Sequence, residues 1–441
     1  MPGRTAFFLV LVLALSACTA GSAGTTAPEM TTASTTTTTE TPLSTTTTTP
    51  GPQPTPPDLS GLEGLSPEVR EQLEQLIVEA EEVRELPFLS PPTITVVSDD
   101  ELETRVREAI EEDIEDFPAD EALYKLLGLL DPDADLLTML LDLYGEQVAG
   151  YYDGDTGEIV VPAHAEGLSV LQRGTLVHEL VHALTDQHFR FDEEFDGMIE
   201  GDRLDQAAAY QALIEGDATL AEVIWIQGLS QRELGEFVAE SLEADATALQ
   251  SVPRFIQDSL LFPYDAGLGF VQDLYRSGGW GSVNEAYSTL PGLPGSSEQV
   301  ITPDDYGRDL PLEVEIPPMQ LADYELERTS VWGEQGFRVM LDQVLGESVG
   351  APAADGWGGD AYHQWFDGEN AALLIVYVGD TEPDLEELET ALLSYQEAAI
   401  AEEDYALVAV RDGNLYFIVT DEVEAGEQIT QALGLATLPQ P

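Results

Sequence analysis

The 441 residues carry 84 acidic against 16 basic side chains, a net charge of −68, with an apolar share of 43% that is ordinary for globular protein. A surface this negative repels nucleic acid and anionic lipid headgroups, which argues against both as partners. It also repels itself at low ionic strength, so a high-salt surrounding that screens the repulsion is expected. Lys125 is the only lysine, and the acids are spread through helical patterns such as EEDIEDF and EELETALL rather than gathered in one tail.

In chain order, Arg4 precedes an apolar stretch from Ala6 to Leu15 that is too short to span a bilayer and fits a signal-peptide core. Leu15-Ser16-Ala17-Cys18 has the form of a bacterial lipobox, and Cys18 is the only cysteine, so no disulfide framework exists and its expected role is lipidation. Residues 1–18 are therefore read as a lipoprotein signal peptide. The expected location is the extracellular face of the cell membrane, with the membrane touched only through the lipid on Cys18. Residues 19–57 are Thr, Pro, Ser and Gly, a disordered stalk that cannot bury a core.

The folded part divides into 58–310 and a smaller unit, 311–441. A helix is expected from Ser66 to Arg84, capped by Ser66 with Pro67 in its first turn. A strand follows at 93–97, then an acidic helix opening at Ser98-Asp99-Asp100 and helices near 120–130 and 134–144. Strands at 147–152 and 158–161 flank the turn Asp153-Gly154-Asp155-Thr156-Gly157. That turn and Asp131-Pro132-Asp133-Ala134-Asp135 are acid-rich, yet neither has the EF-hand glycine and terminal glutamate, so both read as turn and cap chemistry. Helices follow at about 169–186 and 204–227, and more lie before the Gly/Pro-rich stretch ending at Gly295. The last unit reads as a helix near 334–345, strands near 371–378, a helix near 384–399, a hairpin of 406–410 and 415–419 turning at Asp412-Gly413, and a helix near 422–433. The fold class expected is α+β: a mostly helical domain with a small strand layer beside the helix of residues 169–186, plus a C-terminal α+β unit.

That helix carries His178-Glu179-Leu180-Val181-His182, the HExxH pattern, in a chain with only five histidines. Positions i and i+4 share a helix face, so both imidazoles can reach one metal ion, and Glu179 stands beside that ion as a general base. Catalytic zinc takes three protein ligands. Glu215, in the next long helix, is favoured as the third, the arrangement of gluzincins; small Gly216 and Ala218 would let that helix pack under the HExxH helix. His188 is the rival, six residues after His182 as in metzincins, but Thr185 stands where that pattern needs glycine, and six residues rotate His188 about 240° away. His188 is instead expected to support the site or to pack with Phe189.

The segments HELVHALTDQHF, EQVAGYYDGDTGEIVV, EGDA, FPYDAGLGFV, LPGSSEQVITPDDY and AADGWGGDAYHQW resemble a family of exported actinobacterial and archaeal lipoproteins and surface proteins of the gluzincin type. The resemblance runs from about residue 65 to 400. It implies a zincin-like fold, a Zn2+ held by His178, His182 and Glu215, and Glu179 as the base. Two departures stand out: the family often has a histidine near Ile301-Thr302 and a basic residue where this chain has Ala361. His363 is a weak substitute for the latter.

The expected activity is hydrolysis of peptide bonds in a peptide or protein substrate outside the cell. Glu179 would take a proton from the attacking water and pass it to the leaving amine. Tyr210 and His363 are candidates for stabilising the oxyanion, and Asp217 or Asp186 for orienting a metal-bound histidine. The strand at 147–152 could offer its edge to an extended peptide. A lipid-anchored binding protein with a structural or vestigial metal is the alternative from another class.

Overall fold

The computed structural model describes residues 9–13, 66–112, 117–162, 167–243, 247–288 and 292–435. Cys18 and the stretch 19–57, read above as lipidation site and stalk, lie outside them. The class is α+β, as expected.

Two sheets organise the chain. The first contains β1 (Leu9–Leu13), β2 (Thr93–Val97), β3 (Val148–Asp153) and β4 (Glu158–Pro162) in the order β1-β3-β4-β2. β2 runs parallel to β4, and β3 is antiparallel to both β1 and β4. Alternation sends Tyr152 of β3 to one face and Tyr151 to the other. Tyr152, Ile159 and Val161 join the main core with the apolar side chains of α5 (Val170–Phe189), whereas Tyr151 and Val160 pack on Leu102 and Val106 of α2 (Asp99–Glu112).

The main core also takes in α1 (Pro67–Arg84) and α7 (Leu204–Gln227), with α6 (Phe191–Glu200) between α5 and α7. α1 begins as its sequence requires: the Ser66 hydroxyl accepts the Val69 N–H at 3.2 Å, with Pro at the first helical position. Its Val69, Leu73, Leu76, Ile77 and Ala80 are core residues. At its end Arg84, fully buried, donates to both carboxylate oxygens of Asp217 on α7 (2.6 and 3.0 Å) and stacks over Trp280 at 4.4 Å. This helix is built into the core rather than laid over it.

α8 (Gln231–Glu243) and α9 (Thr247–Ser251) lead to α10 (Arg254–Gly278), which crosses α7 at backbone contact. A Cβ on Gly216 would lie 2.2 Å from the Gly267 carbonyl oxygen, and one on Gly267 would lie 2.2 Å from that of Ala212. Gly216 therefore admits α10, not the HExxH helix as expected from the sequence. The reason is angular: Gly216 is rotated about 100° from Glu215, so it meets α10 at Gly267 while Glu215 reaches the HExxH helix.

The second sheet lies C-terminal, after α11 (Trp280–Ala286) and α12 (Ser297–Ile301). It comprises β5 (Glu325–Ser330), β6 (Trp357–Phe366), β7 (Ala371–Gly379), β8 (Tyr405–Arg411) and β9 (Asn414–Thr420) in the antiparallel order β5-β6-β7-β9-β8. Asp412 and Gly413 both have positive φ, 54° and 84°, the turn foreseen for the hairpin. One face packs on α16 (Val423–Ala432) through Leu374, Ile418 and Ile429. The other packs on α13 (Gly333–Leu345), α14 (Glu347–Ala354) and α15 (Glu382–Ala399). That second core also draws on Leu123 and Leu126 of α3 (Phe117–Leu126), Leu136 and Leu143 of α4 (Leu136–Gln147) and Phe255 of α10, so it spans both sides of position 311.

Buried carboxyls lock this junction. Asp360 on β6 accepts from the N–H groups of Trp332 and Gly333 (2.8 and 2.9 Å) and from Trp357 Nε1 (2.8 Å). Gly333 has φ 75°, and a Cβ there would sit 1.9 Å from Asp205 Oδ1, so only glycine serves. Asp205 accepts from Ser297 N at 3.1 Å, and Ser297 Oγ from Gln335 N at 3.1 Å. Burial raises these acids above the usual carboxylate range: Asp205 to about 6, Asp360 to about 7, Glu334 to about 8 and Glu298 to about 9.

A carboxyl raised in the fold stabilises it when protonated; that stability is complete below the unfolded value near 4 and is lost as pH rises through the folded value. His182 and His363, which burial lowers, act in the opposite sense below about 6.5 but are outnumbered. The thermal midpoint in high salt should therefore be higher at pH 5 than at pH 8.5; an unchanged or reversed order would show that these acids do not govern stability. Separately, Gly216→Ala should cost about 1–3 kcal/mol by overpacking the α7–α10 crossing, measured by denaturant unfolding.

Candidate metal centre

Residues 170–189 form one uninterrupted helix because a full capping box starts it. Ser169 Oγ accepts the Gln172 N–H at 3.3 Å while Gln172 Oε1 accepts the Ser169 N–H at 3.0 Å. The apolar residues around the motif bury it on all sides: His178, Glu179 and His182 have 1%, 0% and 0% exposure. The two imidazoles sit edge to face, 4.6 Å between centroids.

Glu215 of α7, with no exposure, points between them. Its Oε2 is 3.1 Å from His178 Nε2 and 3.4 Å from His182 Nε2. Donor atoms of the three residues lie within 4.8 Å of one another. Burial alone would lower His178, but bonds to Glu215 and then Glu222 outweigh it and hold the imidazole up to about 10. Glu215 shows the converse: burial would raise it, yet His182 and His178 draw it down to about 2. Burial lowers His182. These directions place the proton on His178 and the negative charge on Glu215, an ion pair within the group.

The same atoms fit a metal ion. His182 Nδ1 and Nε2, Glu215 Oε1 and both oxygens of Glu179 are buried without a hydrogen-bond partner, a costly arrangement that a cation bound among them would relieve. Two imidazole nitrogens and one carboxylate oxygen are the donor set of a catalytic zinc site. Zinc ligands at about 2.0–2.1 Å in a tetrahedron stand about 3.3 Å apart, and the observed separations are 3.1 and 3.4 Å.

Glu179 sits one residue round the helix, held well above its usual range by burial. The backbone of Tyr152 on β3 approaches it and favours the charged form without completing a hydrogen bond. Tyr152 is itself fixed by its hydroxyl, which donates to Asp186 Oδ2 at 2.9 Å, tying β3 to the end of α5.

Several expected residues stand elsewhere. His188 Nε2 bonds the Pro87 carbonyl at 2.7 Å and its ring lies 6.0 Å from Phe189, outside the donor group, so the six-residue spacing does not bring it to His178 and His182. Asp217 is bonded by Arg84 and by the Tyr287 hydroxyl (2.8 Å), not by an imidazole. Asp186 holds Tyr152 and the Asp192 N–H. Tyr210 is buried against Tyr287 with ring centroids 6.3 Å apart. His363 lies on β6 between Thr329 and Leu374, packed on Trp365, in the other sheet.

Two other residues stand beside the donor group. Glu222 Oε2 is 3.5 Å from His178 Nδ1, and its other oxygen lies against Gly174, where a Cβ would be 3.0 Å away. Glu222 follows Glu215 by seven residues, hence on the same helix face, which is the signal that could have selected it. Tyr264 of α10 lies near enough to Glu215 and Glu179 to feel their charge, and has its ring 6.4 Å from His178. It directly follows Pro263, which removes one donor from the hydrogen-bond ladder of α10.

A family model described as a domain of unknown function (DUF8575) matches residues 322–431. That span covers the second sheet and its helices and none of the donor residues. No curated protein and no solved structure matches the chain.

A second acidic group, Asp155 with Asp192 and Asp196 of α6, is part-exposed; burial and then Asp196 push Asp192 up to about 7. The turn around Asp155 is otherwise held by its own bonds, Thr156 N–H to Asp153 Oδ1 at 3.1 Å.

A group that orients a ligating histidine typically sets its metal affinity by 10–100-fold. Glu222→Gln should weaken zinc binding by roughly that factor, read by competition with a chromophoric chelator. An unchanged affinity would show that Glu222 does not orient His178.

Proposed function

We propose that the chain is a zinc-dependent metallopeptidase that cleaves peptide bonds outside the cell, anchored through a lipid on Cys18. The observation that carries this reading is the convergence of His178, His182 and Glu215 on one point with unpartnered Glu179 beside it. A zinc ion held by those three would supply a Lewis acid that acidifies water and polarises a carbonyl.

The chain's own residues supply the rest. Glu179, kept from full solvation, is a base whose raised affinity for protons suits it to accept one from water and return it to the leaving amine. Tyr264, rather than Tyr210 or His363, is the hydroxyl positioned to donate to developing negative charge once a metal engages Glu215. Glu222 steadies His178 through its far nitrogen. β3 brings its backbone to Glu179, and its outer edge is where Leu9–Leu13 adds as an antiparallel strand. With the signal peptide removed at Cys18, that same row of N–H and C=O groups is available to an extended substrate.

The protein purified in high salt should hold one zinc per chain by elemental analysis. Glu215→Ala should lose the metal, and His188→Ala should keep it. Glu179→Gln should retain zinc and lose roughly 100–10,000-fold in peptide hydrolysis. A protein that binds no zinc after reconstitution, or a Glu179→Gln variant as active as wild type, would defeat the reading.

A further inference from the structure

Where the two cores meet, α7, α10, α13 and β6 border a cavity of about 310 Å³ that contains none of the metal donors. Its α7 wall is the face of Ala208, seven residues and so two turns before Glu215. Five aromatic side chains line it: Tyr124, Phe255, Phe262, Trp332 and Tyr362. Tyr362 stands at 84° to Trp332 with 5.3 Å between ring centroids, and Tyr124 at 58° to Phe255 with 5.0 Å. Rings set at such angles surround a space rather than stack across it. The volume falls at the lower end of the roughly 300–1,000 Å³ of small-molecule sites.

The lining offers charge of one sign only. Asp205, 6% exposed, is its sole acid, and it includes no Arg, Lys or His. Asp205 accepts the Ser297 N–H at 3.1 Å. Gly333 alone separates it from Asp360: a Cβ there would lie 1.9 Å from Asp205 Oδ1, while the Gly333 N–H donates to Asp360 Oδ1 at 2.9 Å. The other donors to Asp360 are the Trp332 N–H and the Trp357 indole. Among the described residues no cationic side chain bonds either carboxyl group. Two adjoining buried acids therefore lack a counter-ion, in a chain where acids outnumber bases 84 to 16. A cation in the cavity would supply one. Aromatic faces attract ammonium groups, most strongly where water is excluded. An apolar lining cannot replace the water around a bare ion, so it suits an ammonium that carries carbon substituents.

We propose that this cavity binds a small organic ammonium ion, its alkyl groups against the aromatic rings and its charge beside Asp205. The site stands apart from the metal centre and does not depend on the peptidase reading. The purified protein is titrated calorimetrically in high salt, which screens the acidic surface, with choline and with dimethylbutanol, the uncharged molecule that has carbon in place of the nitrogen. Choline should saturate a single site and bind roughly 5–30-fold tighter than the neutral molecule. Asp205→Asn, which can still accept the Ser297 N–H, should bring the two to equal affinity. Ala208→Leu fills the cavity from α7 and leaves the junction acids in place, so it should abolish binding of both; it keeps the test decisive should Asp205→Asn fold poorly. Equal affinity of the two compounds for the wild-type protein would show an apolar pocket and overturn the ammonium site. Choline binding that survives Ala208→Leu would locate the cation on the acidic surface and overturn it as well, as would the absence of saturable binding.

Discussion

The backbone contact between α7 and α10 is the constraint on which the centre depends. Because Gly216 and Gly267 have no side chains, the two helices approach until carbonyl oxygens occupy the space of a methyl group. That approach turns Glu215 towards α5 and brings Tyr264 across to meet it. A candidate metal donor and a nearby tyrosine on separate helices are thus placed by residues with no side chains of their own. Rigid elements hold functional geometry better than loops do, and here the supporting shell is the helix pair itself.

The other side of α7 is fixed as firmly. Asp217 lies about 200° round from Glu215 and is bonded by Arg84 at the end of α1 and by Tyr287 after α11. Breaking a buried pair of this kind leaves an uncompensated charge and is strongly destabilising. The helix carrying the third donor is therefore clamped on two faces about 100° apart, by an ion pair on one and by bare backbone on the other. Rotation of Glu215 out of the group would disrupt both.

The HExxH helix and Glu215 were legible in the sequence because i, i+4 spacing and a long apolar helix follow directly from 3.6 residues per turn. The same periodicity, carried further, puts Glu222 and not Asp217 on the helix face of Glu215. Tyr264 was hidden because a tyrosine after a proline inside an apolar run says nothing of which helix it will cross. Elements with period-2 or capped patterns, such as 93–97, the Ser66-capped helix to Arg84 and the hairpin at Asp412-Gly413, were readable. β6 was not: it is buried nearly throughout, mixes Asp360, His363 and Gln364 with two glycines, and shows no alternation. β5 and α14, the latter with Pro352 inside it, lacked pattern for similar reasons.

The second core joins α3 and α4 to strands and to α15 more than two hundred residues later, as in the Tyr395 hydroxyl of α15 bonded to the Leu127 carbonyl at 2.6 Å. Contacts so distant in sequence form slowly, since the chain between them must be ordered first. α4 is also the element that delivers β3 to Glu179. A nascent chain lacking its last hundred residues would hold the HExxH helix without the support behind that strand. Assembly of the centre is thereby coupled to completion of the polypeptide, and an unfinished chain inside the cell would not yet present an assembled site.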